Sequence, residues 1–470
     1  MNFTQLEFLC FLILVVSIAW TLRGRVARNA FLLLASYYFY AYWDIRFCGL
    51  LLLSTAVDFV VAKKIAASEV HAIRKRWLMC SLTVNLGMLG LFKYFNFFLE
   101  TAEPLVRAIG LDASTLPIVL PVGISFFTFQ TLSYTIDVYR RKMKPTNSVL
   151  DFALYVSFFP QLVAGPIVRA AHLLPQLAVT PSWNSKRMYN GAQQLLRGAV
   201  KKVLIADHLA DLVDGVFAGP ELYHPVTVWL AVLAYAGQIY YDFSGYSDMA
   251  IGIAKMLGYR FPVNFRHPYL STSVSEFWRR WHITLSSWLR DYLFIPLGGS
   301  RGTTWNTNRN LLITMTLGGL WHGAALTFVS WGVWHGIALI VARCSRLRLP
   351  RFAGWLATMS VVLFGWVLFR ATSFENAMVI YRGMIGRTTP LAVPGTESWL
   401  VAGAILWLPP LPLLALACMV VDHLVWRTHG RRWMRLPADR WFSPVATAMM
   451  IWALVLYAPR GFRPFVYFQF

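Results

Sequence analysis

Charged residues are scarce in this 470-residue chain: only 14% of its residues are charged, while 57% are hydrophobic. The mean hydropathy is +0.53. A large soluble core is excluded, since apolar runs near helix-spanning length recur from end to end and are broken by short basic loops. We therefore predict an all-α, polytopic membrane protein with roughly ten to twelve spanning or re-entrant segments of about 20 residues each.

Cysteine is also scarce: five residues are scattered through apolar segments without C-x-x-C spacing. Disulfide, zinc and iron–sulfur frameworks need paired or clustered thiols, so all three are disfavoured. The chain shows no tight cluster of histidine and carboxylate residues either, and we predict no metal site and no bound cofactor. His267 and His423 are expected in or beside loops.

Motifs of soluble enzymes are missing as well. There is no G-x-S-x-G elbow and no Walker loop, and the glycines of Leu297 to Gly302 follow no predicted strand. The net charge of +22 comes largely from basic loops beside apolar runs, which topology explains. Nucleic acid is therefore not an expected partner, whereas a basic inner rim would attract either anionic lipid headgroups or a phosphate-bearing cofactor.

What the chain does contain is a series of apolar segments. Leu6 to Val61 holds about three of them, Trp77 to Phe98 is a clear span, and Phe152 to Leu162 indicates a short, broken helix. Pro104 to Pro121 is predicted to be an outward loop. Lys186 to Val213 fits an amphipathic helix along the interface. Without internal repeats, a single membrane domain over residues 1–470 is the simplest organisation.

The segment from Ser275 to Phe294 is predicted to be one helix that opens near Ser273. Glu276 is placed to pair with Arg279 or Arg280 at the third or fourth following position. On a continuous helix His282 would share an apolar stripe with Trp278, and with Leu285 and Leu289. Such a buried imidazole is expected to be neutral near pH 7 and able to donate or accept a hydrogen bond.

His322 follows Trp321 in the stretch GGLWHGA, where Gly318, Gly319 and Gly323 allow close approach by a neighbouring helix or a substrate. A titratable ring at membrane depth suggests acid–base chemistry, since a well-placed general base contributes about a hundred-fold to ten-thousand-fold. Packing with a satisfied hydrogen bond is the alternative for both histidines. For His335, in GVWHG, packing is the favoured interpretation.

Trp278, Arg279, Arg280, Trp281 and Trp321 surround these histidines in sequence and are candidates to line a substrate path. Asp242 and Asp248 begin and end the polar string DFSGYSD. Pairing with arginine residues for structure is the favoured interpretation of both, and lining a polar path is the alternative; intramembrane charges mark transport routes as readily as active sites. The residues alone therefore leave a transporter or flippase open beside an enzyme, although no inverted repeat is evident.

Taken together, FWRRWHITLSSWLRDYLFIPLGG and GGLWHGA resemble the membrane-bound O-acyltransferase superfamily, and specifically its bacterial branch that acetylates exopolysaccharides such as alginate. The likeness extends to LFKYFNFF, LPVGISFFTFQTLSYTIDVYR, FPQLVAGPIVR, DFSGYSDMAIG, LFRATSFENAMVIYRGM and the terminal FVYFQF. One departure is visible after GLWHGA, where relatives commonly continue with Asn and Trp and this chain has Ala325 and Leu326.

The resemblance implies a ring of tilted transmembrane and re-entrant helices around a central tunnel. It implies that His322 is the family's invariant histidine and His282 its second, supporting histidine. The implied donor is acetyl-CoA from the cytoplasm, and the implied recipient is a periplasmic acetyltransferase partner that esterifies the exopolysaccharide. Transfer of D-alanine or another acyl group to a cell-wall polymer is the alternative within the superfamily.

Two mechanisms fit these implied roles. In the first, His322 is the general base on an acceptor hydroxyl that attacks the thioester, and His282 either polarises the carbonyl or orients the nucleophile. In the second, an acetyl-imidazole forms on His322. The sequence does not choose between them.

Overall fold

The computed structural model describes residues 1–108, 115–345, 349–387, 405–429, 437, 440–459 and 463–466. Every regular element in this part of the chain is helical, and the only extended pairing there is one bridge between Tyr223 and Ile405. The all-α class is thus confirmed. The ring with a central tunnel stays a prediction.

The α-helices of the amino-terminal half are α1 Leu6–Thr21, α2 Arg25–Ala41, α3 Arg46–Ala67, α4 His71–Leu89, α5 Phe95–Ala108, α6 Ile124–Tyr139, α7 Val149–Ser157, α8 Phe159–Leu162, α9 Ala170–Leu177 and α10 Ser185–Val200. Those that follow are α11 Asp207–Ala218, α12 Pro225–Met256, α13 Val274–Arg280, α14 Ile283–Leu289, α15 Thr304–His322, α16 Leu326–Cys344, α17 Arg351–Arg370, α18 Phe374–Met384, α19 Pro410–His429 and α20 Phe442–Tyr457.

Three helical stretches in the described residues are long and apolar enough to cross a bilayer: His71–Glu103, Leu326–Cys344 and Arg351–Arg370. Shorter apolar helices cover Leu6–Thr21, Pro410–Val425 and Phe442–Tyr457. Apolar helices of this kind fit a multi-pass membrane protein. The count of ten to twelve spanning or re-entrant segments stays a prediction.

Most of the segments predicted from hydropathy are present. The three apolar segments before Val61 are α1 to α3, and the short segment after Phe152 is broken between α7 and α8. The amphipathic stretch is helical throughout, as α10, a π-helical turn and α11. The predicted loop from Pro104 is wrong at its start, because α5 continues to Ala108; residues 109–114 lie outside the described part.

The chain divides into two compact units. The first comprises Met1–Leu195 with Ser247–Val263, and the second comprises Leu196–Tyr246 with Asn264–Phe470. Helix α12 contributes residues to both units because the division passes through it. The single domain expected from the sequence stays a prediction.

In the first unit, α3, α4 and α6 are joined by a buried polar cluster around Asp58. Its carboxylate accepts hydrogen bonds from Ser81, from Asn85 at 2.7 Å and from Thr135 at 2.9 Å. All four side chains are buried. Because every partner is another side chain of the cluster, these bonds hold the three helices in register.

The core of the second unit is dominated by aromatic rings, and three fully buried tryptophans form its centre. The Trp366 ring lies 4.9 Å from the Trp281 ring and 6.0 Å from the Trp331 ring, measured between centroids. These indoles come from the break after α13, from α16 and from α17. The predicted histidines lie at the edge of this aromatic cluster.

Candidate functional site

His322 is the last residue of α15, and only 4% of its surface is exposed. Its imidazole packs edge-to-face against Trp321, Trp331 and Phe369, with centroid distances of 5.0, 5.1 and 5.1 Å. The start of α15 is capped by Thr303, whose hydroxyl accepts the Asn306 backbone N–H at 3.2 Å. The imidazole therefore lies at the end of a helix and is surrounded by aromatic rings.

Glycines let α15 and α16 approach closely beside His322. A Cβ at Gly319 would lie 2.2 Å from the carbonyl oxygen of Phe328, and one at Gly332 would lie 2.3 Å from that of Met315. A Cβ at Gly323 would meet the Phe328 ring at 2.2 Å. No side chain larger than hydrogen fits at these distances. The predicted close approach of a neighbouring helix to this glycine-rich stretch is confirmed.

The prediction of one continuous helix through His282 is wrong. Helix α13 ends at Arg280, and α14 begins at Ile283. His282 lies between them in the left-handed region, with φ 39° and ψ 56°. A non-glycine residue in this region costs about 1–3 kcal/mol, which the surrounding contacts must offset. Its shared stripe with Trp278 is therefore absent, because the two residues do not follow one helical period.

The start of the predicted helix is confirmed. The Ser273 hydroxyl accepts the Glu276 backbone N–H at 3.2 Å as an N-cap. Glu276 pairs with Arg280 at 2.7 Å, at the spacing of four residues that favours such pairs on a helix. The sequence thus predicts the beginning of this segment correctly and misses only its break.

The segment that carries Asn264 fixes the backbone at the break. The backbone N–H of Ile283 donates to the Asn264 carbonyl at 2.9 Å, and that of Arg266 donates to the Arg280 carbonyl at 3.0 Å. The His282 ring packs against Phe243 at 4.6 Å and is fully buried. Tertiary hydrogen bonds therefore stabilise the left-handed residue.

The Asn264 side chain also determines the tautomer of His282. Its Oδ1 receives the backbone N–H of Thr284 at 3.2 Å and the Thr284 hydroxyl at 2.9 Å, which identifies that atom as oxygen. The same oxygen lies 3.1 Å from His282 Nδ1. An amide oxygen only accepts, so Nδ1 carries the proton of the neutral ring and Nε2 carries the lone pair.

The Trp321 side chain contacts both histidines. Its ring centroid lies 6.0 Å from the His282 ring, at an interplanar angle of 66°, and 5.0 Å from the His322 ring. The indole is 4% exposed. One buried side chain therefore contacts both imidazoles, and all three belong to the second unit.

The other predicted tryptophans lie further along the aromatic cluster. Trp278 packs 5.2 Å from His335 and 5.6 Å from Trp331, whereas Trp281 packs 5.1 Å from Phe265. Trp331 is in contact with both His322 and His335, at 5.1 and 5.0 Å. The structure thus connects these residues through ring contacts rather than through one helical face.

The two arginines of α13 make local contacts. Arg279 is exposed and donates to the Ser275 hydroxyl at 2.9 Å. Arg280 pairs with Glu276, as described above, and is partly exposed. Arg280 also donates to the Arg266 carbonyl oxygen at 3.5 Å, outside α13. Their role as lining of a substrate path stays a prediction.

Asp242 is buried in an ion pair. It lies 2.6 Å from Lys202 Nζ and accepts the backbone N–H of Val466 at 2.9 Å. Asp207 is the second carboxylate on Lys202, at 2.7 Å. Asp248 accepts a hydrogen bond from Gln194 at 2.9 Å within the first unit. Both carboxylates thus make contacts of the kind expected for structural residues. Their role in lining a substrate path stays a prediction.

No sequence pattern predicted a role for Asn264. It lies 18 residues before His282, in a stretch without helical or strand periodicity, so no local pattern relates the two. Phe369, which packs against His322, was part of a recognised motif, LFRATSFENAMVIYRGM, but nothing in its spacing indicates a position beside α15. Only the tertiary contacts bring these residues to the histidines.

Comparison with known proteins identifies the family of this chain. The profile of the "MBOAT, membrane-bound O-acyltransferase family" matches residues 127–381. The chain is 44% identical over 371 residues to "Probable alginate O-acetylase AlgI" of Pseudomonas aeruginosa, covering 77% of this chain and 71% of that protein. It is 38% identical over 397 residues to "Peptidoglycan O-acetyltransferase" of Helicobacter pylori, covering 77% and 75%.

A more distant similarity is to "Teichoic acid D-alanyltransferase" of Bacillus subtilis, 26% identical over 224 residues and covering 44% of this chain and 55% of that protein. His282, His322 and Asn264 lie within the residues that the profile matches. The polytopic membrane location predicted from hydropathy and the acyltransferase class are both confirmed. The chain belongs to the membrane-bound O-acyltransferase family, in its bacterial exopolysaccharide O-acetyltransferase branch.

Proposed function

We propose that this enzyme takes an acetyl group from cytoplasmic acetyl-CoA and passes it across the inner membrane for O-acetylation of an exopolysaccharide such as alginate. The named relatives support alginate as the polymer, since alginate O-acetylases match this chain at 44% identity over most of its length. A periplasmic acetyltransferase would complete the transfer to polymer hydroxyls. The single observation that carries the catalytic assignment is the contact of His282 and His322 with the same buried indole.

His322 is proposed as the general base. The acceptor hydroxyl would lose its proton to this ring while its oxygen attacks the thioester carbonyl, forming a C–O bond and a tetrahedral oxyanion. Collapse of the oxyanion would break the C–S bond, and the departing thiolate would take up the proton from the imidazolium. Such a base contributes about a hundred-fold to ten-thousand-fold in rate.

The tautomer of His282 favours one of its two candidate roles. With the proton on Nδ1 and bonded to Asn264, the neutral ring presents a lone pair on Nε2. A lone pair cannot donate to a carbonyl oxygen, but it can accept from a hydroxyl. We therefore infer that His282 orients the nucleophile rather than polarising the carbonyl, and that Asn264 is a positioning residue.

The test is polymer acetylation in a producing strain that carries variants of this chain. His322→Ala should remove the acetyl esters, measured by NMR of the isolated polymer, while membrane fractions retain the protein at the normal level. An unchanged ester content with this variant would refute the assignment. Deleting the periplasmic acetyltransferase should give the same unmodified polymer with wild-type His322 in place.

The acetyl-imidazole alternative has its own experiment. Purified protein is mixed with radiolabelled acetyl-CoA in the absence of acceptor, and protein-bound label is measured after rapid denaturation. The general-base mechanism predicts no label on the chain. Label that His322→Ala abolishes and His282→Ala retains would replace that mechanism with a covalent one.

A further inference from the structure

A second cluster of titratable side chains lies apart from His282 and His322 in the second unit. His267, Asp422 and His423 are all buried, and one potential metal-ligating atom from each lies within 4.8 Å of the others. His267 Nδ1 and His423 Nδ1 are each 3.7 Å from Asp422 Oδ2. The prediction that His423 lies in or beside a loop is wrong, because the residue lies within α19.

The spacing of these side chains fits a tetrahedral ion. Ligand atoms 2.0–2.1 Å from a zinc ion lie about 3.4 Å apart, close to the 3.7 Å between His267 Nδ1 and Asp422 Oδ2. Two imidazoles bound to one such ion have ring centroids about 5.2 Å apart. The His267 and His423 centroids are 5.0 Å apart, with planes at 82°.

The surrounding hydrogen bonds are those that accompany metal ligands. His423 Nδ1 lies 3.0 Å from the Met419 carbonyl oxygen, which can only accept, so the neutral ring keeps its lone pair on Nε2. Among the described residues no hydrogen-bond partner faces that Nε2, and the side chain is 5% exposed. The Tyr241 hydroxyl donates to Asp422 Oδ2 at 3.1 Å, which orients the carboxylate.

We propose that His267, Asp422 and His423 form a zinc site in the second unit. Two imidazoles and a carboxylate are hard-to-borderline ligands that suit Zn²⁺, and three protein ligands leave a fourth position for water or a further group. The ion connects the loop that carries His267 to α19, and its charge compensates a carboxylate that is buried against aromatic rings. This site is independent of the acyl-transfer proposal.

The experiment measures metal directly. Full-length protein is purified in detergent through an affinity tag without histidine, incubated with excess Zn²⁺ and passed over a desalting column that contains a weak chelator. Elemental analysis should find about one zinc per chain in the wild type. Asp422→Asn, His267→Gln and His423→Gln should each lose most of it. Wild-type protein that retains no zinc after this treatment overturns the proposal.

His335→Gln is the matched control, because His335 is equally buried in the same unit but outside the cluster. It should bind as much zinc as the wild type; loss of zinc in this variant as well would indicate general unfolding and overturn the assignment to these residues. Replacement of zinc by Co²⁺ gives a readout that does not depend on variants. Tetrahedral coordination predicts intense visible absorption, whereas the weak spectrum of an octahedral ion would contradict the proposed geometry.

Discussion

Two buried polar regions of this protein are built in opposite ways. Around Asp58, each polar side chain meets another, and the carboxylate accepts from three partners on neighbouring helices. Around His282 and His322, the imidazoles meet mainly aromatic rings. The first arrangement holds helices together through polar side chains, while the second holds two imidazoles in place by packing against aromatic rings. Burial alone therefore does not mark a functional residue in a membrane protein.

The largest effect is expected for the variant His322→Ala. If the aromatic region serves chemistry, acetyl transfer should fall by about a hundred-fold to ten-thousand-fold, while thermal stability in detergent changes little. The measurement pairs transfer rates with the temperature of the unfolding transition. A variant with normal transfer and a lowered transition would assign His322 to packing instead.

The converse change is Asp58→Ala, which removes the common acceptor of Ser81, Asn85 and Thr135. Leaving these buried donors without that acceptor should lower the free energy of unfolding by about 2–5 kcal/mol. Transfer per folded molecule should stay near normal. The control is Asp44→Ala, whose salt bridge with Arg46 is exposed and should matter little.

Asn264→Ala tests whether the tautomer of His282 matters for acetyl transfer. Without the amide oxygen the ring can hold its proton on either nitrogen, and we expect the turnover number to fall about ten- to a hundred-fold with a smaller change in KM. Asn264→Asp keeps an acceptor and should recover part of the rate. Thr284→Val removes only the hydroxyl donor at 2.9 Å and serves as the control. Equal losses in all three variants would assign Asn264 a purely structural role.

The smallest expected effect concerns the helix contact beside His322. Gly319→Ala places a Cβ against the Phe328 carbonyl and should lower the free energy of unfolding by about 1–3 kcal/mol, with some loss of transfer as α15 and α16 separate. Gly87→Ala is the matched control, since nothing lies within 4 Å of the added atom. If both variants behave alike, the close approach does not matter.

Hydropathy and short-range patterns predicted much of this protein because they depend on neighbours in the chain. The apolar segments, the N-cap at Ser273 and the pair of Glu276 with Arg280 follow from spacing within one helix. The break at His282 could not be predicted this way. The side-chain pattern there fits a helix. Backbone hydrogen bonds with Asn264 and Arg266 hold His282 in the left-handed conformation.

Composition and local spacing were enough to predict a helical membrane protein, because both depend only on residues that are neighbours in the chain, and the motifs were enough to indicate its family. Only the tertiary contacts place Trp321 against both imidazoles, Asn264 beside His282 Nδ1 and His267 beside Asp422. Asn264 precedes His282 by 18 residues and His267 precedes Asp422 by 155, so it is packing, and no local pattern, that brings these side chains together.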